Sequence, residues 1–302
     1  MSRIHEALKK AALERSEQIS ARDGSDVIDI AADVQLATVH TVGPPGQKIR
    51  EVAGQGGTGF LRFQEMMKRC AHPKWQLNPQ SSVFLNTDTA RHGAERFRTL
   101  RSRLHQIAGV RPLRRVLVTS SVPQEGKTFV ATNLAQSIVG QPDRRVLLID
   151  ADLRVSTLHE TLGAPKTPGL TDYLRGTVDE YAILQNGMDG NLCLIPGGNE
   201  VANPSELLLN ERMKKLLELV TPVFDWVILD SPPALAVHDA SMLADMCDGV
   251  LFVVGAGSTD FEAAEKAAFE FRDKNLLGVV LNRVEQGAAY RDYYYSHPAE
   301  KE

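Results

Sequence analysis

Apolar and polar positions alternate in two patterns over residues 94–281. Short continuous apolar runs are typical of buried parallel strands, and apolar residues spaced three or four positions apart are typical of amphipathic helices. Strands are predicted at 116–119, 145–149, 191–195, 226–229, 249–254 and 277–281. Helices are predicted over 94–107 and from Lys127, Pro204 and about Phe261. This alternation predicts an α/β fold in which helices wrap a mainly parallel, doubly wound sheet.

The helix that begins at Pro204 has a start signal in Asn203-Pro204-Ser205-Glu206. We expect the Asn203 side chain to cap this helix, because its oxygen can accept a hydrogen bond from a free backbone N–H of the first turn. Proline is favoured at the first helical position, and glutamate at the third completes the pattern.

The first 80 residues follow a different pattern. Residues 2–17 predict a short amphipathic helix, which is marginal alone in water and either docks on a partner or stays solvated. Residues 20–59 contain Gly-Pro-Pro-Gly and Gly-Gln-Gly-Gly and predict a linker, and 60–70 predict another small helix. The predicted parts are a largely flexible N-terminal extension (1–80), a sheet domain (81–288) and a C-terminal tail (289–302).

The first strand of the sheet domain leads into a turn, residues 121–128, that ends in Gly-Lys-Thr. Successive backbone N–H groups around Gly126 would form a site for anions at the start of the next helix. Lys127 would reach the terminal phosphates, and Thr128 would bind Mg²⁺ through its hydroxyl. The tripeptide alone is common, but a strand before it and a helix after it are the context the motif requires. We therefore predict a nucleotide site.

Acidic residues end two further apolar runs. Asp150 and Asp152 follow 147–149, and Asp230 follows 227–229. Carboxylates at the C-terminal ends of parallel strands open into the crevice where such sheets bind ligands. Aspartate also ends strands and caps helices without any catalytic role. Three such carboxylates beside a phosphate loop favour a metal-nucleotide site, with Asp152 and Asp230 near the metal or its waters.

Composition adds little to this picture. The 302 residues carry a net charge of -4, which gives no general reason to expect a nucleic acid partner. The three cysteines, Cys70, Cys193 and Cys247, lack metal-binding spacing and are expected to be reduced packing residues. No apolar run approaches the roughly twenty residues that span a bilayer, and the start lacks signal-peptide features, so a soluble protein is expected.

Taken in order, the motifs resemble those of the BY-kinase family, the bacterial tyrosine kinases of capsule and exopolysaccharide synthesis. The matching segments, within about residues 88–295, are Walker A (121–128), Walker A′ (147–154), Walker B (227–233), Glu-x-x-Arg-x-x-Arg (95–101) and a tyrosine cluster (290–295). The resemblance implies a P-loop fold of the MinD and ParA type. It also implies a tyrosine autokinase that uses ATP and Mg²⁺.

The resemblance assigns roles to individual residues. Implied catalytic residues are Lys127, Asp150 and Asp152, with Asp150 accepting the tyrosine proton. Implied cofactor contacts are Gln124, Glu125, Gly126, Lys127, Thr128, Phe129, Asn282 and Arg283. Implied metal ligands are Thr128, Asp152 and Asp230. Implied phosphoacceptors are Tyr290, Tyr293, Tyr294 and Tyr295. Implied oligomer contacts are Glu95, Arg98 and Arg101.

The resemblance also implies partners. It predicts a ring of identical chains that phosphorylate each other's tails, controlled by the cytoplasmic segment of a membrane polysaccharide co-polymerase and by a cognate tyrosine phosphatase. The chain is expected in the cytoplasm, recruited to the inner face of the membrane. Two alternatives concern the arginines of 91–115: a charged helix face often lies in solvent, and a basic segment can bind anionic lipid or nucleic acid.

The chain departs from the family pattern at two places, of which Gln124 leaves the reaction rate open and Val155-Ser156 is interpreted as a tolerable variation beside the site. Gln124 stands where family members usually have glycine. The glutamine side chain strains the loop if that position needs a positive φ. Val155 and Ser156 replace a basic residue and a proline.

A ParA or MinD-like ATPase switch is the first alternative to the kinase function, although Val122 occupies the position of the signature lysine of that group. A nucleotide-binding scaffold with little kinase activity is the second.

Overall fold

The computed structural model describes residues 33–35, 63–85, 90–187 and 190–284. The predicted helix over 2–17 and the predicted tyrosine tail lie outside these residues. Among the described helices, none is long and apolar enough to cross a membrane.

The described strands form one sheet in the order β1-β7-β6-β2-β5-β3-β4. Their bounds are β1 Asp33–Gln35, β2 Arg115–Ser120, β3 Val146–Asp150, β4 Leu192–Ile195, β5 Trp226–Asp230, β6 Gly249–Gly255 and β7 Leu276–Asn282. Neighbours pair in parallel from β7 to β4, and β1 adds an antiparallel edge to β7. The expected mainly parallel sheet is confirmed.

Helices cover both faces of this sheet. Their bounds are α1 Phe63–Arg69, α2 Ala90–Val110, α3 Lys127–Val139, α4 Leu158–Leu162, α5 Leu170–Leu174, α6 Pro204–Leu208, α7 Glu211–Val220, α8 Asp239–Ala244 and α9 Phe261–Phe269. Side chains alternate across each strand, so that Leu117 packs into one core and Val116 and Val118 pack into the other. Both faces of the sheet are therefore buried, which explains why its strands are continuous apolar runs.

Residues 63–85 pack against the same body as the sheet. Met66 of α1 is buried in the core, and the rings of Phe63 and Phe224 meet edge-on at 5.9 Å. The backbone N–H of Val83 donates to Asn133 Oδ1 of α3 at 2.9 Å. The predicted boundary between the N-terminal extension and the sheet domain falls between residues 80 and 81, and residues on both sides of it contact the sheet domain.

The predicted cap at Asn203 is wrong. Pro204 does begin α6, but the Asn203 side chain makes no capping hydrogen bond to the helix backbone. Its Nδ2 instead donates to Glu206 Oε2 at 3.1 Å. The Asn203 side-chain amide thus donates to the Glu206 carboxylate three residues later and does not accept from the helix backbone. A capping side chain that was not predicted occurs at Asn210, which accepts from the backbone N–H of Arg212 at the start of α7.

Candidate active site

The phosphate loop joins β2 to α3 across residues 121–126. Gly126 precedes the first helical residue with a φ of 91°, in the left-handed region that favours glycine. A Cβ atom at Gly126 would lie only 2.1 Å from Asn282 Nδ2, which is impossible without movement. Both the backbone angle and the packing therefore require glycine, and the helix start is open to an anion.

Gln124 in the same loop has a φ of 67° and an exposed side chain. The position does need a positive φ, which gives a physical reason for the glycine that the family pattern usually has there. A left-handed conformation costs a side-chain-bearing residue roughly 1–2 kcal/mol. The loop keeps its shape in spite of this cost because other contacts hold it in place.

Glu125 makes most of those contacts. Its buried carboxylate accepts hydrogen bonds from the backbone N–H of Val122 at 2.7 Å and of Gly255 at 3.0 Å, and from the Thr259 hydroxyl at 2.5 Å. The backbone oxygen of Glu125 accepts from Asn282 Nδ2 at 2.8 Å. Glu125 therefore ties the phosphate loop to the ends of β6 and β7, and its side chain braces the loop.

The remaining predicted cofactor residues surround this brace. Asn282 is buried at the end of β7 and holds the phosphate loop through its hydrogen bond to the Glu125 backbone oxygen. The next residue, Arg283, has a φ of 61°. The Phe129 ring packs edge-on against Phe97 at 5.8 Å. The contacts of Asn282 and Arg283 with adenine, and of Phe129 with the cofactor, stay predictions.

The carboxylates lie on adjacent strands. Asp150 ends β3 and Asp230 ends β5, and the two are paired directly in the sheet register. Asp152 follows two residues later and is buried. The structure thus brings all three predicted acids to the same edge of the sheet as the phosphate loop.

Two contacts join the loop to these acids. Lys127 Nζ lies 3.2 Å from Asp152 Oδ2, and the two side chains are only 14% and 3% exposed. The Thr128 hydroxyl donates to Asp230 Oδ2 at 2.6 Å. The first two helical residues of α3 therefore each hold a different carboxylate.

Other contacts fix the orientation of the acids. The Ser156 hydroxyl and the Leu158 N–H donate to Asp150 Oδ2 at 2.7 and 3.1 Å, and the Val155 N–H donates to Asp152 Oδ1 at 3.0 Å. The second oxygens, Oδ1 of Asp150 and Oδ1 of Asp230, are buried without a hydrogen-bond partner among the described residues. A buried carboxylate oxygen without a partner is costly unless a cation or a proton occupies it.

Burial dominates the ionisation of this group. Desolvation raises the pKa of Asp150 to about 8, and the neighbouring Asp230 carboxylate adds to the rise. Desolvation also raises the pKa of Asp230, to about 6, although the Lys127 ammonium and the Thr128 hydrogen bond oppose it. Burial alone would lower the pKa of Lys127, but the charges of Asp230, Asp152 and Asp150 outweigh it and raise that pKa.

These residues fit a magnesium nucleotide. Mg²⁺ prefers oxygen ligands and keeps several waters, and Thr128, Asp152 and Asp230 offer hydroxyl and carboxylate oxygens on adjacent elements. The buried oxygens without a partner on Asp150 and Asp230 can be occupied by a cation or by a proton at this edge. The phosphate loop beside them supplies the site for the phosphates.

Comparison with known proteins agrees with this geometry. A model of the AAA domain family matches residues 124–263. The tyrosine-protein kinase YwqD of Bacillus subtilis is 36% identical over 205 residues, covering 67% of this chain and 86% of YwqD. The chain belongs to the bacterial tyrosine-protein kinase family.

Two further comparisons show how much of each protein the match covers. The tyrosine-protein kinase wzc of Salmonella typhimurium is 36% identical over 206 residues, and the match covers 67% of this chain but 28% of wzc. The solved structure of the kinase domain of the Escherichia coli tyrosine kinase ETK superposes with a TM-score of 0.64 at 27% identity, covering 76% of this chain and 96% of that chain. The fold predicted from the resemblance is thereby confirmed.

The family's Glu-x-x-Arg-x-x-Arg segment lies on α2. Arg98 and Glu95 are exposed and form an ion pair with each other at 2.9 Å. Arg101 differs, because its guanidinium donates to the backbone oxygen of Ser137 at the end of α3. Within one chain, Glu95 and Arg98 are thus presented to solvent and Arg101 joins two helices.

Sequence reasoning missed several residues that organise the kinase site. Arg154 Nε donates to Asp239 Oδ2 at 2.9 Å, and its Nη2 donates to Ser205 Oγ at 2.9 Å, so the Walker A′ arginine joins three segments. Thr259 braces Glu125 from 134 residues away, and a single sequence carries no signal for that pairing. Ser156 was visible as a departure from the family pattern, but its contact with Asp150 was not.

Proposed function

We propose that this protein is an ATP-dependent tyrosine autokinase that phosphorylates its own C-terminal tyrosine cluster. The observation that carries the proposal is the convergence of the Gly126 loop, Lys127 and three buried carboxylates at one edge of the sheet. Phosphoryl transfer needs alignment and neutralised charge more than covalent chemistry, and this arrangement supplies both.

The residues divide the work. The loop amides and Lys127 bind and orient the phosphates of ATP, while Thr128, Asp152 and Asp230 would hold Mg²⁺. When bound, Mg²⁺ supplies the positive charge that neutralises the phosphates. The hydrogen bond from Thr128 to Asp230 turns the hydroxyl lone pairs away from that carboxylate and leaves them free to bind a cation.

We assign the acceptance of the tyrosine proton to Asp150. Ser156 and Leu158 hold one of its oxygens, and the other has no hydrogen-bond partner among the described residues. Its pKa of about 8 favours the protonated form at neutral pH. Positive charge placed beside it lowers that pKa and favours the carboxylate that accepts a proton. An unperturbed tyrosine has a pKa near 10, so proton transfer within the transition state fits better than a preformed phenolate.

The proposed acceptors are Tyr290, Tyr293, Tyr294 and Tyr295. About eight residues separate Asn282 from Tyr290, an extended reach of up to roughly 28 Å, so distance alone permits transfer within a chain or between neighbours. We favour transfer between neighbours in a ring, with Glu95, Arg98 and Arg101 at or behind the contact. Each phosphate adds about -1.5 to -2 charges, and their mutual repulsion would release the tail and loosen the ring.

Regulation of exopolysaccharide or capsule polymerisation and export is the proposed role of that cycle. The proposed partners are the cytoplasmic segment of a membrane polysaccharide co-polymerase, which recruits and activates the kinase at the inner face of the membrane, and a cognate tyrosine phosphatase, which resets it. A partner of this kind also gives the predicted helix over 2–17 a surface on which to order.

The test is to incubate the full chain with ATP and Mg²⁺ and to measure phosphotyrosine in the tail by mass spectrometry. Lys127→Met should abolish the modification, and Lys214→Met, at an exposed lysine of α7, should leave it unchanged. Hydrolysis without tail phosphotyrosine would instead indicate a ParA or MinD-like switch, and nucleotide binding alone would indicate a scaffold. Each incubation is repeated with the partner's cytoplasmic segment.

A further inference from the structure

The acceptor tyrosine must reach the catalytic carboxylates across the loops that follow β2, β3 and β5, because the phosphate loop and the catalytic carboxylates lie at the carboxyl ends of these three adjacent strands. The exposed residues of these loops are Pro123, Gln124, Arg154, Val155, Ala236 and His238. We call this set the acceptor rim. No acidic residue belongs to it.

Within the acceptor rim, the one permanently charged group is already engaged. The Arg154 guanidinium donates to Asp239, whose side chain is 1% exposed, and to Ser205. Because these bonds hold Arg154 against its own chain, little of its charge is available to an approaching peptide. The rim therefore offers an acceptor mainly uncharged surface.

Val155 has a special position in this rim. Its backbone N–H is bonded to Asp152, and the next residue, Ser156, is bonded to Asp150. The Val155 side chain is nevertheless 65% exposed. A single exposed valine needs no explanation elsewhere on a protein. Here, however, the backbone of Val155 is anchored between two catalytic carboxylates, so its exposed side chain lies next to them.

The acceptor segment of this chain has the matching character. Residues 290–295, Tyr-Arg-Asp-Tyr-Tyr-Tyr, are mostly aromatic, and the charges of Arg291 and Asp292 cancel. Aromatic rings gain free energy by covering apolar surface such as a valine side chain. An acidic segment would find no free cation on the rim to offset its desolvation.

We propose that Val155 is a specificity-determining residue of the acceptor site, which selects aromatic tyrosine segments without net negative charge, such as residues 290–295. This inference rests on the proposed autokinase function and deepens it by naming the substrate class.

The test is a double-mutant cycle in the full chain, with tail phosphorylation followed by intact-protein mass spectrometry. Val155→Lys removes the apolar contact and adds a cation, and Arg291→Glu makes the tail acidic. Each change alone should slow phosphorylation. The double variant should be phosphorylated roughly two- to fivefold faster than expected if the two single effects multiplied, because exposed pairs of opposite charge contribute a coupling of this size. High salt should reduce the coupling, since it screens the attraction between the new lysine and the new glutamate.

Val110→Lys is the matched control, because Val110 is 78% exposed at the end of α2, next to the opposite edge of the sheet. It should show no coupling to Arg291→Glu. The KM for ATP is measured in Val155→Lys as well, and an effect of this change on ATP binding cancels in the coupling because it is present with either tail. Effects of Val155→Lys and Arg291→Glu that simply multiply would overturn the inference, with the kinase itself intact. Absence of phosphotyrosine from the unmodified chain, with the partner segment present, would overturn the proposed function and the inference together.

Discussion

Replacing Asp150 with asparagine should stabilise the metal-free protein more as the pH rises. Asp150 is fully buried, and burial together with Asp230 raises its pKa to about 8 from the ordinary value of 3.8. Between these two values the native state holds a proton that the unfolded chain has lost. The unfolded state is therefore increasingly favoured as pH rises through this window, so stability declines from about pH 4 to about pH 8.

The size of the effect follows from the same values. One pH unit inside the window changes the free energy of unfolding by up to about 1.4 kcal/mol per group. Between about pH 5 and pH 7 the wild type should therefore lose up to roughly 3 kcal/mol through Asp150, and Asp150→Asn should not. For a domain of this size that difference corresponds to roughly 6–12 °C in Tm.

The assay is thermal unfolding in EDTA at the two pH values, for the wild type, Asp150→Asn and the control Asp273→Asn. Asp273 is exposed, so its substitution makes the same chemical change at a carboxyl group that is not buried. The Tm advantage of Asp150→Asn should grow with pH, and that of the control should not. An equal Tm difference at both pH values would refute the placement of Asp150 as a buried acid facing Asp230.

Three changes in the phosphate loop have separate outcomes. Gly126→Ala should weaken binding of a fluorescent ADP by roughly 5- to 150-fold, the equivalent of about 1–3 kcal/mol of strain, because the new Cβ would meet Asn282 at 2.1 Å; normal affinity would contradict the packing. Glu125→Gln should weaken ADP binding and lower the free energy of unfolding by about 1–3 kcal/mol, whereas Thr259→Ser, which keeps the hydroxyl, should leave ADP binding unchanged. Gln124→Gly should leave the free energy of unfolding equal or raise it by up to about 1 kcal/mol, since relief of the left-handed strain exceeds the added chain entropy; a clear loss of stability would contradict the strain at φ 67°.

Much of the fold was predictable because both faces of the sheet are buried. Under that condition each central strand is an apolar run, and the site carboxylates follow directly where the runs end. The short helices α4, α5 and α8 were not predicted, because five or six residues are too few to establish a helical period.

Tertiary contacts explain the remaining differences. The Asn203 amide donates to the Glu206 side chain and does not cap the helix backbone. The capping propensity of asparagine does not decide between these two hydrogen bonds. The brace between Glu125 and Thr259 and the anchoring of Arg154 by Asp239 join residues far apart in the chain. Such pairings depend on how the elements pack, so the loop's shape was predictable from the sequence and its supports were not.

A crystal structure of the full chain with a non-hydrolysable ATP analogue and Mn²⁺, which is located by its anomalous scattering, would show directly whether the loop and the carboxylates share one metal nucleotide. We expect the phosphates on the amides around Gly126 with Lys127 in contact, and a metal peak beside Thr128 on the side of Asp152 and Asp230. A metal peak distant from these carboxylates, or a triphosphate bound away from the Gly126 loop, would contradict the proposed site.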